Sequence, residues 1–216
     1  MLKLRMPASA SAQLARLVEF ALTLGDLDRA AHWLEQLQWQ GDQNRYRSLR
    51  HRWLKRNGDT DQLKAELQQD FTEKPHSYTL EPLWRMASDQ EQPQLRRQVE
   101  NLSTDIVAPD EWVAMLLLAG SPERAETVLL ADPDRFTSVH YGTLLKWAKR
   151  FADEDRPLAQ VVCYRALLTD LLERGYTRAY RHGADYFHKL LALDKVLDDY
   201  RELEDAQAFI HGLQTR

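Results

Sequence analysis

Apolar residues recur along this chain at intervals of three and four, and short Gly-, Asp- and Asn-containing breaks interrupt them. Leu14, Leu17, Val18, Ala21 and Leu22 fall on one helical stripe, and Leu27, Ala30, Ala31, Leu34 and Leu37 form a second beyond Gly25-Asp26. Two amphipathic helices joined by so short a turn fold back on each other and hide both stripes. The same rule pairs Tyr46, Leu49 and Trp53 with Leu63, Leu67 and Phe71, and Leu83, Trp84 and Ala87 with Leu95, Val99 and Leu102. It continues with Trp112, Val113, Leu116 and Leu117 against Ala125, Val128 and Leu129. Leu144, Trp147, Ala148 and Phe151 then face Val161, Tyr164, Leu168, Leu171 and Leu172. A last group runs through Ala184, Phe187 and Leu191 to Val196, Leu203 and Phe209. About six hairpins are predicted, with Pro75, Pro82, Pro93 and Pro109 disturbing the middle ones.

The breaks carry helix-end chemistry. Gly25, Gly41 and Gly58 each stand where a helix can close in a left-handed residue, and each is followed by Asp, a favoured N-cap. They are 16 and 17 residues apart, so a two-helix unit repeats in 33 residues, a solenoid period. Later breaks fall near Asp89, Gly120-Ser121-Pro122, Asp153-Glu154-Asp155 and Asp194, with Pro122 and Pro157 placed for the first turn of a new helix. A hairpin with apolar residues on both sides must stack on its neighbours. The expected fold is therefore all-α, a right-handed superhelix of antiparallel hairpins in a single domain over 1–216, with a weak boundary near 70–82.

Composition narrows this. With 8 Gly and 8 Pro in 216 residues, the chain lacks the punctuation of a many-stranded sheet protein, and its 44% hydrophobic content is enough for a continuous core. A mean hydropathy of −0.58 and the absence of a long apolar run leave nothing to cross a membrane. Cys163 is the only cysteine, so neither an internal disulfide nor a zinc site built on cysteine pairs is expected, and a reducing, cytoplasmic location follows.

The hairpin period resembles that of the tetratricopeptide-like α-solenoids, and Leu24-Gly25-Asp26 with Arg29-Ala30 resembles the turn and second-helix start of such a repeat. The stretch from Tyr164 to Arg174, continuing through Ala179 to Phe187, is similar to an uncharacterised bacterial helical domain also found at the C terminus of proteins with a SWIM-type zinc finger. That resemblance implies a helical scaffold without assigned catalytic residues. It also implies a basic, aromatic tail beyond the final helix, so the chain is expected to be a piece of a longer protein.

Charge is banded. Residues 1–57 carry ten Lys or Arg against five Asp or Glu, a net +5, and residues 58–136 carry seven against sixteen, a net −9. Residues 137–193 come to +3 and 194–216 to −3. Such bands suit docking onto a charged partner. The sharpest basic cluster is Arg45, Arg47, Arg50, Arg52, Lys55 and Arg56, with His51, Tyr46 and Trp53 interleaved; cations beside aromatics suit phosphate contact and base stacking. A second group, Arg174, Arg178, Tyr180, Arg181, His182 and Lys189, suits an acidic peptide or a carboxylate terminus.

Enzyme chemistry has little support. His182, Asp185 and His188 cannot share one helix face, so no metal is expected there. Asp153-Glu154-Asp155 and Asp198-Asp199 read as turn and capping residues, and Cys163 as a small core residue. Most tryptophans fall in phase with the stripes, whereas Trp33 and Trp39 are out of phase and suit an interface. No phosphate loop, dinucleotide fingerprint or nucleophile elbow is present, and no cofactor is expected. The expected function is a non-enzymatic scaffold for protein–protein interaction, with nucleic-acid binding through residues 45–56 as the alternative.

Overall fold

A computed structural model describes residues 8–39, 42–173, 180–201 and 203–214. Among them are twelve α-helices and no strand. They divide into two compact units, Met1–Glu73 and Lys74–Arg216. No helix of the described residues is long and apolar enough to cross a membrane.

The first unit holds α1 (Ala8–Leu24), α2 (Leu27–Gln38), α3 (Gln43–Asn57) and α4 (Thr60–Glu73). Gly25 adopts φ 76° and closes α1, and the Asp26 carboxylate then accepts the Arg29 amide at 3.1 Å to open α2. Asp42 opens α3 in the same way through the Arg45 amide, and Gly58 closes it at φ 81°. Gly41 lies outside the described residues. The turns fold α1 onto α2 and α3 onto α4, and α1 also packs on α3. The shared core comprises Leu14, Val18, Leu22, Leu34, Leu37 and Leu49, with Trp33 and Trp53 partly buried against it. The Trp53 indole N–H donates to the Leu27 carbonyl at 2.9 Å, tying α3 to the start of α2.

The second unit holds α5 (Ser77–Met86), α6 (Gln92–Glu100), α7 (Pro109–Leu118), α8 (Pro122–Ala131), a 3-10 turn (Pro133–Phe136), α9 (Tyr141–Asp153), α10 (Pro157–Glu173), α11 (Tyr180–Asp194) and α12 (Ala206–Gln214). Pro109, Pro122 and Pro157 each occupy the first position of their helix, where a missing N–H costs nothing. α5 continues through Pro82, and its N terminus is held from α7: Glu111 accepts the Ser77 amide and sits 3.0 Å from the His76 ring. The Trp112 N–H donates to the Val99 carbonyl at 2.8 Å and fixes α7 to α6. α10 is the centre of this unit, packed by α8, α9, α11 and the 3-10 turn.

Some residues read as stripe positions lie outside helices. Ala87 caps α5 in extended backbone, and Leu102 follows the end of α6. Val196 and Leu203 belong to an irregular stretch before α12. There Tyr200 donates to Asp194 at 2.7 Å, Asp199 accepts the Arg201 amide at 2.7 Å, and Arg201 takes φ 54°. The Asp199 turn competes with helix for the backbone, and α12 begins at Ala206, where Asp205 accepts the Ala208 amide at 2.7 Å.

Candidate interaction surfaces

In the first unit, α3 presents its basic residues in two directions because a helix turns 100° per residue. Arg47 and Arg50 point to α4, while Arg45, Arg52 and Arg56 follow one another at i, i+7 and i+11 on a different stripe. α4 answers with Glu66, Asp70 and Glu73, also at i, i+4 and i+7. Arg47 forks across two of them, with 2.6 Å to Asp70 and 2.8 Å to Glu73, and the Arg50 Nε donates to Glu66 at 2.7 Å. Arg45 reaches Glu19 of α1 at 3.6 Å. Arg52, Lys55 and Arg56 are exposed and have no carboxylate partner among the described residues.

Between these walls lies an open groove of about 430 Å³, lined by Tyr46, Arg47, Arg50 and His51 of α3, Glu66, Gln69 and Asp70 of α4, and Gln38 and Gln43 at the α2–α3 connection. His51 is half-buried, 3.5 Å from Asp70 and 3.8 Å from Glu66. Burial drives its pKa down; the two carboxylates pull it up, Arg47 and Arg50 push it down again, and the net shift is downward. The hydrogen bond to Glu73 leads the forces that raise the Arg47 pKa. Glu73 is held below the usual carboxylate range by Gln69 and then by Arg47. With Arg50 and Glu66 each about one-quarter exposed, that ion pair is worth up to about 1 kcal/mol.

The second basic group spans a different kind of surface. Arg174 and Arg178 lie outside the described residues, and Tyr180 opens α11 with a side chain that is not described. His182, Tyr186 and Lys189 share a face of α11 and meet Tyr164 of α10. The Tyr164 and Tyr186 rings stack at 6.2 Å, His182 stacks on Tyr186 at 6.5 Å, and the Lys189 ammonium lies 5.1 Å from the centre of the Tyr164 ring. Arg181 is exposed on the adjoining face. Of this group the structure therefore brings His182 and Lys189 together around two tyrosines.

The model of DUF6880, described as a family of unknown function, matches residues 8–216. The chain belongs to that family. No curated protein and no solved structure matches it.

Sequence reasoning on this DUF6880 chain singled out the basic residues of α3 but not Glu66, Asp70 and Glu73, which pair with two of them. The signal was present in the helical spacing of those three acids. A second omission is Arg165 of α10, whose guanidinium sits 4.6 Å from the Phe209 ring and 5.6 Å from the Tyr200 ring and donates to the Glu204 carbonyl at 2.7 Å. Burial lowers its pKa, against the pull of Tyr200, Glu204, Asp205 and Asp194. Cys163 is fully buried, and its thiol is pushed up to about 12 by burial, so it packs as a small apolar residue. Trp39 is 68% exposed, whereas Trp112 and Trp147 are core.

Proposed function

We propose that this DUF6880 chain is a non-enzymatic helical-repeat scaffold for protein–protein interaction, with a groove between α3 and α4 that receives an extended polar peptide. The observation that carries the reading is the groove itself: about 430 Å³ of open space whose guanidinium and carboxylate walls are already paired with each other. Pairing holds both charges in fixed positions before a ligand arrives, so a peptide of mixed charge can exchange partners without first ordering the site. The amides of Gln38, Gln43 and Gln69 offer further donors and acceptors for peptide backbone. Tetratricopeptide-like stacking within each unit belongs to the same proposal, supported by α1 packing on both α2 and α3. The scaffold is taken to work in the cytoplasm, where a lone cysteine stays reduced.

Selection of a displayed random-peptide library on the full chain tests this. Enriched peptides should combine acidic and basic residues and should lose binding to Arg47→Ala and Asp70→Ala. Failure to enrich, or enrichment indifferent to both substitutions, refutes the groove.

Nucleic-acid binding, whether or not accessory to a SWIM-type zinc finger, is favoured by one observation: Arg52, Lys55 and Arg56 are exposed and carry no ion pair among the described residues. Three cations on phosphates give a modest salt dependence, about −0.9 in log–log slope for each duplex phosphate neutralised. A titration with labelled single- and double-stranded oligonucleotides that shows no binding near about 50 mM salt removes this second reading.

A further inference from the structure

The second unit contains a separate recess of about 340 Å³ where the 3-10 turn, α10 and the start of α12 meet. Its apolar lining includes Val162 and Ala166 of α10 and Phe209 of α12, together with Pro133 and Leu203. Three carboxylate residues complete it from three different segments: Asp134 of the 3-10 turn, Glu173 at the end of α10, and Glu204 before α12. All three are exposed, and none is ion-paired among the described residues. The one cation among the described lining residues, Arg165, is already occupied: two aromatic rings hold its guanidinium and the Glu204 carbonyl takes one of its donors.

We propose that this recess receives the long basic side chain, lysine or arginine, of a partner peptide. Among the described lining residues, three carboxylates against one engaged guanidinium disfavour an anion. A wholly apolar group would strip water from those carboxylates and return nothing to them. A basic side chain satisfies both parts of the lining, because its methylene stem lies on Val162, Ala166 and Phe209 while its charged head reaches the acids. The volume lies near the lower end of the range of about 300–1,000 Å³ for ligand pockets, a size for a side chain and its immediate backbone. The inference goes beyond the α3–α4 groove and stands whether or not that groove binds peptide.

The test is a chemical-shift titration of the isotope-labelled full chain with four blocked peptides that differ only in a central Arg, Lys, citrulline or Glu. The Arg and Lys peptides should move the amides of Ala166 and Phe209 saturably. The citrulline peptide, nearly the same shape without the charge, should bind at least about tenfold more weakly, the loss expected for charge-assisted contacts. The Glu peptide should not bind. Glu173→Gln combined with Asp134→Asn should weaken the Arg peptide severalfold, and these substitutions sit at exposed positions that the core does not need. Equal binding of the Arg and citrulline peptides, binding of the Glu peptide, or no movement of these amides with any basic peptide overturns the proposal.

Discussion

Helices α3 and α10 are similar in length, at 15 and 17 residues, yet they use their surfaces in opposite ways. α10 is buried on nearly every side, from Leu158 and Ala159 through Val161–Tyr164 to Ala166–Thr169 and Leu171, because four elements surround it. α3 buries Tyr46, Leu49 and Leu54 and leaves its remaining directions to charge. A helix that is apolar nearly all round fixes a core and, on α10, leaves partners only the recess at Val162 and Ala166; a one-sided helix keeps two flanks for partners. On α3 those flanks differ again, one pinned by the acids of α4 and the other exposed at Arg52, Lys55 and Arg56.

The largest effect that separates the two helices is chemical. With its thiol pushed up to about 12, Cys163 on α10 should react with iodoacetamide near neutral pH about a thousandfold or more slowly than in the denatured chain. Rapid labelling of the native protein would show that α10 is not enclosed. Next in size, Leu167→Ala on α10 should cost about 2–5 kcal/mol in urea unfolding, and Arg52→Ala on α3 less than about 0.5 kcal/mol. Similar costs would erase the contrast. Asp70→Asn should cost about 1 kcal/mol or less, since Arg47 is two-fifths exposed and keeps Glu73. It should also lower the His51 pKa further, because Asp70 is the strongest of the charges that hold it up.

The smallest effect is a pH dependence. The folded His51 pKa lies below its unfolded value of about 6.5, so the unfolded chain binds the extra proton first. Stability is full above pH about 6.5 and falls as pH drops below it toward the folded pKa; His51→Gln should flatten that slope. A slope of opposite sign would place His51 in a carboxylate-dominated site.

Helix ends were the most legible part of this chain, because Asp26, Asp42, Gly58, Pro122 and Pro157 act on backbone within three residues of themselves. The core stripe was legible for the same reason in the one-sided helix α4, whereas on α1 Leu17, read into the stripe, is 41% exposed and the buried Ala15 was not read. On α10 the stripe of Val161, Tyr164, Leu168 and Leu171 was legible against α9, which packs on it, but Leu172 is 46% exposed and burial on the other sides of α10 by α8, α11 and the 3-10 turn left no separate mark in the sequence. The candidate site was legible only by half: the cations of α3 stand together in sequence, whereas their partners Glu66, Asp70 and Glu73 depend on the register of α4, which no local rule sets. Arg165 carried no local mark of its place, because Phe209 and Tyr200, which lie against its guanidinium, come from about 40 residues away. Of the irregular stretch before α12 only its start, the break near Asp194, was legible, because the Asp199 turn interrupts an otherwise apolar pattern.

The account rests on Arg47 and Arg50 being locked to α4 while Arg52 and Arg56 are exposed and have no carboxylate partner among the described residues. Arginine side-chain N–H spectra of the full chain at neutral pH measure this directly, with each resonance assigned by substitution. The Nε–H of Arg50, donating to Glu66 at 2.7 Å, should be sharp, slow to exchange and displaced by Glu66→Gln, and the Arg47 guanidinium should show restricted rotation. Arg52 and Arg56 should exchange with water like a free arginine. Four indistinguishable, freely exchanging side chains would contradict the groove and the peptide-binding role built on it.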